Sequence, residues 1–253
     1  MSKITKDFLM VTFFLSVVSW GTCIVGGMKG VLVSENLILN LLYLLGGWSP
    51  TIASFFVLKK HHQVKGFGEW IKNVFDFKQS PFSYLLVIVF GVIYIVPQCL
   101  ISGFETGMSF VAVLIMLPLM IIGGGLEEAG WRYVLQPELQ KKYSFVVSTA
   151  IVSVIWWLWH LPLFFITESG QYGSNYFVFG IGIAGVSFAL ACIKKVTESV
   201  WLCVLLHCLL NLLPVVFSVS ESLAGNLVIS VLLIGVSCFI TGFQKSSDIK
   251  EIC

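Results

Sequence analysis

Apolar residues in this chain neither recur on one helical face nor alternate as in strands. They fill long runs separated by short polar connections. A helix needs about 20 mainly apolar residues to cross the hydrocarbon layer of a bilayer. Eight runs qualify, at about 8–28, 37–58, 82–102, 108–128, 144–167, 175–193, 199–219 and 223–243. Helices are the expected element because each satisfies its own backbone hydrogen bonds in lipid. The pattern predicts an all-α, polytopic membrane protein of about eight transmembrane helices, one membrane domain over 1–253, multi-pass in the cell membrane. The first run follows Lys3 and Lys6, as in a signal peptide. It is longer than a typical signal core and lacks a convincing small-x-small cleavage site, so it is read as a retained span.

Charge placement tests this count. With a cytoplasmic N-terminus and eight spans, the inside segments hold Lys3, Lys6, Lys59, Lys60, Lys65, Lys72, Lys78, Arg132, Lys141, Lys142, Lys194, Lys195, Lys245 and Lys250. That is fourteen of the fifteen basic residues, with Lys29 alone outside. The positive-inside rule expects such a bias, so both termini are expected in the cytoplasm. Composition agrees: 57% of the 253 residues are hydrophobic and 11% charged, against about 25% charged in soluble domains. A soluble enzyme, a disordered chain and a nucleic-acid binder are excluded.

The longest polar connection, 59–81, carries Phe67, Trp70, Ile71, Val74, Phe75 and Phe77 near one helical face among lysines. This pattern predicts a cytoplasmic helix lying on anionic headgroups, with a solvated loop as the alternative. His61 and His62 lack the nearby carboxylate or cysteine set that would complete a metal site. Of the seven cysteines, all but Cys253 lie in apolar runs and none forms a CxxC pair. They are read as small apolar residues rather than a disulfide framework. There is no defensible internal repeat, and the small-residue spacing Gly26–Gly30 is assigned to internal helix packing.

Ionisable groups at membrane depth cost a few kcal/mol each on insertion scales, so the polar interruptions carry the information. In GGGLEEAGWRYVLQPEL, Glu128 and Arg132 share a helical face, four residues apart, while Glu127 is rotated about 100° away. Two adjacent carboxylates do not both ionise cheaply in low dielectric; one stays charged beside arginine, and the other suits general acid–base work. The alternative is an interfacial pair that snorkels to water. In SVIWWLWHLPLFF, His160 follows Trp156, Trp157 and Trp159. Taken alone it reads as a hydrogen-bonded packing histidine, and the tryptophans as an interfacial belt. In WLCVLLHCLLNLLP, His207 and Asn211 share a face, as donors into one cavity or as an interhelical clamp. Three helices carrying such sets together point to a site rather than scattered packing.

The ordered motifs Glu127-Glu128-x-x-x-Arg132, Trp156-x-x-x-His160 and His207-x-x-x-Asn211 resemble the CPBP family, which contains type II CAAX prenyl proteases, bacteriocin-processing and immunity relatives, and abortive-infection proteins. The family more often has phenylalanine where Trp156 stands. The outer motifs span 127–211, within a motif core taken as 123–214. The resemblance implies an intramembrane endopeptidase acting on a membrane-associated peptide or protein near the bilayer surface. It further implies Glu127 as general base, His160 as its partner on water, His207 and Asn211 as oxyanion donors, and Glu128 with Arg132 as supports. A metal-free, glutamate-type reaction is the favoured reading. Glu127, Glu128, His160 and His207 would be the ligands if zinc were used as a cofactor, although no HExxH is present. The rival readings are a non-catalytic immunity or scaffold protein of the same fold, and a transporter, against which the lack of repeat symmetry counts. Substrate identity and oligomeric state are not encoded legibly.

One expectation concerns depth. At 1.5 Å per residue, His160 lies about 27 Å along its helix from Lys142. Glu127 and His207 meet it only if that span begins later, after a cytoplasmic surface segment, or if the two spans tilt; the preceding helix is expected to continue past Arg132, which moves the carboxylates deeper.

Overall fold

The computed structural model describes residues 1–220 and 222–250, with only the backbone described at residues 110 and 244–250. The side chains of Lys245 and Lys250, and all of Cys253, lie outside that description. Among the described residues every regular element is helical: α1 (Lys3–Met28), α2 (Leu37–Gly47), α3 (Ser49–Lys60), α4 (Phe67–Val74), α5 (Pro81–Ser102), α6 (Phe110–Gly123), α7 (Glu128–Gly130), α8 (Gln136–Gln140), α9 (Phe145–His160), α10 (Tyr176–Thr197), α11 (Val200–Val216) and α12 (Leu223–Lys250). The eight apolar runs all appear as helix, but not as eight equal spans. Six are long and apolar enough to cross a membrane, and α2 with α3 makes a seventh if the bent pair counts as one. α11, at 17 residues, is shorter.

The bend between α2 and α3 is 57°. It falls at Gly46-Gly47-Trp48-Ser49-Pro50, where glycine loosens the first helix and proline starts the second. Gly46 is required by close approach: a Cβ there would stand 2.4 Å from Trp20 Nε1. The Trp20 indole instead donates to Tyr43 O at 3.0 Å. Gly26 similarly admits the Leu39 side chain, so this glycine serves packing between α1 and α2.

The segment after α6 explains the depth problem. A break at Gly124 is followed by a 3-10 turn (Gly125–Glu127), α7, a wide π-helical turn (Trp131–Leu135) and α8, so the run Val111–Gln140 is helical nearly throughout. The chain then turns over 141–144 into α9. Glu127 lies thirteen residues before Gln140 and His160 fifteen after Phe145, so the two antiparallel helices bring them to similar height. Lower down, Gln136 Nε2 donates to Thr149 Oγ1 at 3.0 Å across the same pair.

Two surface expectations change. α4 forms within the 59–81 connection, but Trp70 and Val74 are buried against the protein, and Trp70 Nε1 donates to Ser54 Oγ at 3.1 Å. Phe67, Ile71 and Phe77 are left exposed. Trp156 and Trp159 do not form an interfacial belt; with Trp20 and Trp131 they are among the largest fully buried side chains. The described cysteines are free thiols, with Cys23, Cys192, Cys203 and Cys208 buried.

Candidate active site

Glu127, His160, His207 and Asn211 line one cavity of about 260 Å³, together with Tyr43, Trp48, Tyr94, Gln171 and Asn226. Three helical segments supply the predicted residues. The Gly125–Glu127 turn carries Glu127, the last turn of α9 carries His160, and successive turns of α11 carry His207 and Asn211. Glu127, His160 and His207 are buried except towards this space, whereas Asn211 is exposed.

Trp156 ties the set together. Its Nε1 donates to Glu127 Oε2 at 3.0 Å, and its backbone oxygen accepts from His160 Nδ1 at 2.7 Å. Its ring centroid is 5.5 Å from both the His160 ring and the His207 ring. Trp131 Nε1 donates to the same Glu127 oxygen at 3.4 Å. Both indoles therefore hold Oε2, leaving Oε1 clear of them. With Nδ1 of His160 donating to a carbonyl, its Nε2 is the nitrogen left for the cavity.

Behind this layer lies the support. Glu128 and Arg132 are fully buried and pair at 3.1 Å between Oε2 and Nε. Glu128 Oε1 accepts from His207 Nδ1 at 2.8 Å. Arg132 Nη2 donates to Ser187 Oγ at 3.0 Å, and the guanidinium stands 5.5 Å from the Trp156 ring. The pair is therefore not an interfacial one that snorkels to water. It is buried and orients His207, so that Nε2 faces the cavity.

Gly124 completes the geometry. A Cβ there would lie 3.2 Å from Asn211 Nδ2 and 3.5 Å from His207 Nε2. The two donor nitrogens thus converge on a notch that only glycine leaves open. Gly124, Trp131, Trp156 as a hydrogen-bond donor, and Ser187 are absent from the sequence reading of the site. The polar residues within apolar helices, Ser187 and Asn226 among them, were the available signal; Gly124 is one of 23 glycines and carried none.

The donor set fits a metal poorly. Both oxygens of Glu128 are engaged, by Arg132 and by His207. Among the described residues, no three His, Cys, Asp or Glu side chains are gathered closely enough to hold a metal ion.

Comparison with known proteins agrees with this arrangement. A family described as type II CAAX prenyl endopeptidase Rce1-like matches residues 109–213, which contain all three motifs. The chain is 28% identical over 231 residues to CAAX prenyl protease 2 of Methanococcus maripaludis, covering 82% of each protein. Motif order, motif spacing and a relative that spans most of its length all support the resemblance of this chain to the CPBP family.

Proposed function

We propose that the protein is an intramembrane endopeptidase of the CAAX-protease type, hydrolysing a peptide bond in a membrane-associated protein or peptide by a metal-free reaction. The single observation that supports this most is the convergence of Glu127, His160, His207 and Asn211 on one cavity. A relative named as a CAAX prenyl protease adds to it.

In this reading Glu127 Oε1, with Oε2 held by Trp156 and Trp131, takes a proton from water positioned by His160 Nε2. The resulting hydroxide adds to the scissile carbonyl. Negative charge develops on the carbonyl oxygen, which accepts from Asn211 Nδ2 and, when the imidazole carries both protons, from His207 Nε2. Glu128 receives the Nδ1 hydrogen bond throughout and keeps the ring aimed. Collapse breaks the C–N bond, and the proton held by Glu127 passes to the leaving amine. One water is consumed, and a carboxylate and an amine are released.

The test is a comparison of membrane-peptide proteomes from cells carrying the intact protein and Glu127→Gln. General acid–base catalysis contributes about 10²–10⁴-fold, so cleaved products should fall by that order while protein abundance holds. Unchanged products would replace this reading with a non-catalytic one.

A further inference from the structure

We infer that the lysine-lined recess between the α4–α5 connection and the α10–α11 turn binds the phosphate headgroup of an anionic phospholipid, whose acyl chains lie along the exposed face of α5. No residue lines both this recess and the cavity of Glu127, so the inference is independent of the peptidase reading.

The recess holds about 570 Å³ and gathers three lysines from separate segments: Lys72 in the last turn of α4, Lys78 in the connection after it, and Lys194 in the last turn of α10. Like charges repel, so gathering them is unfavourable unless an anion lies between. Among the described residues none of the three ammonium groups pairs with a carboxylate. Lys194 is half-buried, and its Nζ donates at 2.6 Å to a neutral partner, the Glu198 backbone oxygen. Neighbouring carboxylates are engaged by backbone and amide groups. Asp76 accepts from Lys78 N at 3.3 Å and from Gln79 Nε2 at 3.2 Å, and Glu69 accepts from Lys65 N at 2.6 Å. Tyr133, on the same wall, accepts from Asn73 Nδ2 at 2.8 Å, which leaves its own O–H proton for another acceptor. α11 begins at Val200 beside them, and the positive end of its dipole adds to the field. Ammonium groups, a hydroxyl donor and a helix start are the chemistry that holds a phosphate.

The recess stands at the depth of a membrane surface. α5 starts at Pro81, three residues after Lys78, and α10 ends at Thr197, three after Lys194; both helices are long and apolar enough to cross a membrane. Phe77 and Trp201, next in sequence to the lining residues Asp76, Lys78 and Val200, meet with ring centroids 4.6 Å apart. Trp201 Nε1 donates to the Tyr84 hydroxyl at 3.3 Å, which donates in turn to Phe77 O at 2.8 Å. Amphipathic rings of this kind gather at the headgroup level. From there Phe82, Leu85, Val89 and Val92, three or four residues apart, form one exposed strip along α5. A free phosphate would answer the lysines and leave this strip bare. A phospholipid answers both.

Ligand-dependent melting of the full chain in a neutral detergent tests this, with short-chain phosphatidylglycerol, phosphatidylcholine of the same chain length, and inorganic phosphate as probes. Phosphatidylglycerol should raise the melting temperature saturably, and the other two should bind at least about tenfold more weakly. One lysine beside an anionic lipid is worth about fivefold in affinity, so Lys72→Gln with Lys78→Gln should weaken phosphatidylglycerol binding by roughly 25-fold. Lys65→Gln with Lys142→Gln removes the same charge outside the recess and should change it less than about twofold. Tyr133→Phe keeps every lysine and should weaken it about tenfold, as loss of a hydrogen bond to a charged group does; it carries the test if the double variant fails to fold. Equal losses from the two double variants, or an unchanged affinity in Tyr133→Phe, overturn the site. Inorganic phosphate binding as tightly as phosphatidylglycerol overturns the lipid as occupant, and phosphatidylcholine doing so overturns the requirement for net negative charge.

Discussion

The run from Val111 to Gln140 is one helical path with two unlike halves. In α6, Val111, Leu114, Ile115, Leu119 and Ile122 are exposed, and the helix leans mainly on α11 and the turn that follows it. From Gly125 onward, Glu128, Ala129, Gly130, Trp131, Arg132, Val134, Leu135 and Gln136 are all buried. The half with no charged residue faces outward, and the half that carries Glu127, Glu128 and Arg132 packs those three inside protein. In water the reverse would hold. In lipid, apolar side chains gain nothing from burial against other apolar groups, whereas polar groups need partners. The core of this molecule is therefore defined by its polar network and by the tryptophans around it.

Substitutions on the two halves should separate this view from one based on hydropathy. The largest effect is expected at Arg132→Leu, which leaves Glu128 buried without its cation. Removing one partner of a buried pair costs about 3–5 kcal/mol, so denaturation in detergent should show a large loss of stability despite the more apolar sequence. Gly125→Ala comes next, because its Cβ would meet Cys208 Sγ at 2.6 Å and the backbone oxygen of Val204 at 3.1 Å. Overpacking of this kind costs about 1–3 kcal/mol, measurable in the same assay. Trp156→Phe restores the commoner family residue but removes a donor from Glu127. Trp131 remains on that oxygen, so cleavage rate should fall only about tenfold, equivalent to about 1.4 kcal/mol, with stability little changed. The smallest effect is expected for Leu114→Ala on the outward half, within about 0.5 kcal/mol. A loss there comparable to that at Gly125 would show that α6 is packed against more than lipid.

The spans and the polar candidates were legible in the sequence for one shared reason: both are departures from the composition a bilayer tolerates. Glu127, Glu128, Arg132, His160, His207 and Asn211 stood out because charged and amide groups in apolar runs demand an explanation, and the structure gathers them around one cavity and its support. Direction was not legible. Hydropathy carries no azimuth, so it showed neither the bend at Trp48 nor that Trp70 turns into the protein while Phe67 turns out. The tryptophans were misread as a belt because an indole at an interface and an indole donating to a buried carboxylate look identical in a string of letters. The height of His160 is resolved as expected, by a preceding helix that runs past Arg132, here to Gln140.

The wide turn at Trp131–Leu135 bears on how this chain tolerates changes in length. A π-helical turn holds one residue more than an α-helical turn, so it is where a former insertion can be absorbed without displacing the ends. Deleting one residue inside it would restore ordinary winding and leave both flanks in register, with Gln136 still on Thr149 and Glu127 still under its indoles. The segment works as an expansion joint: the chemistry upstream and the hairpin downstream can each drift in sequence without forcing the other to move.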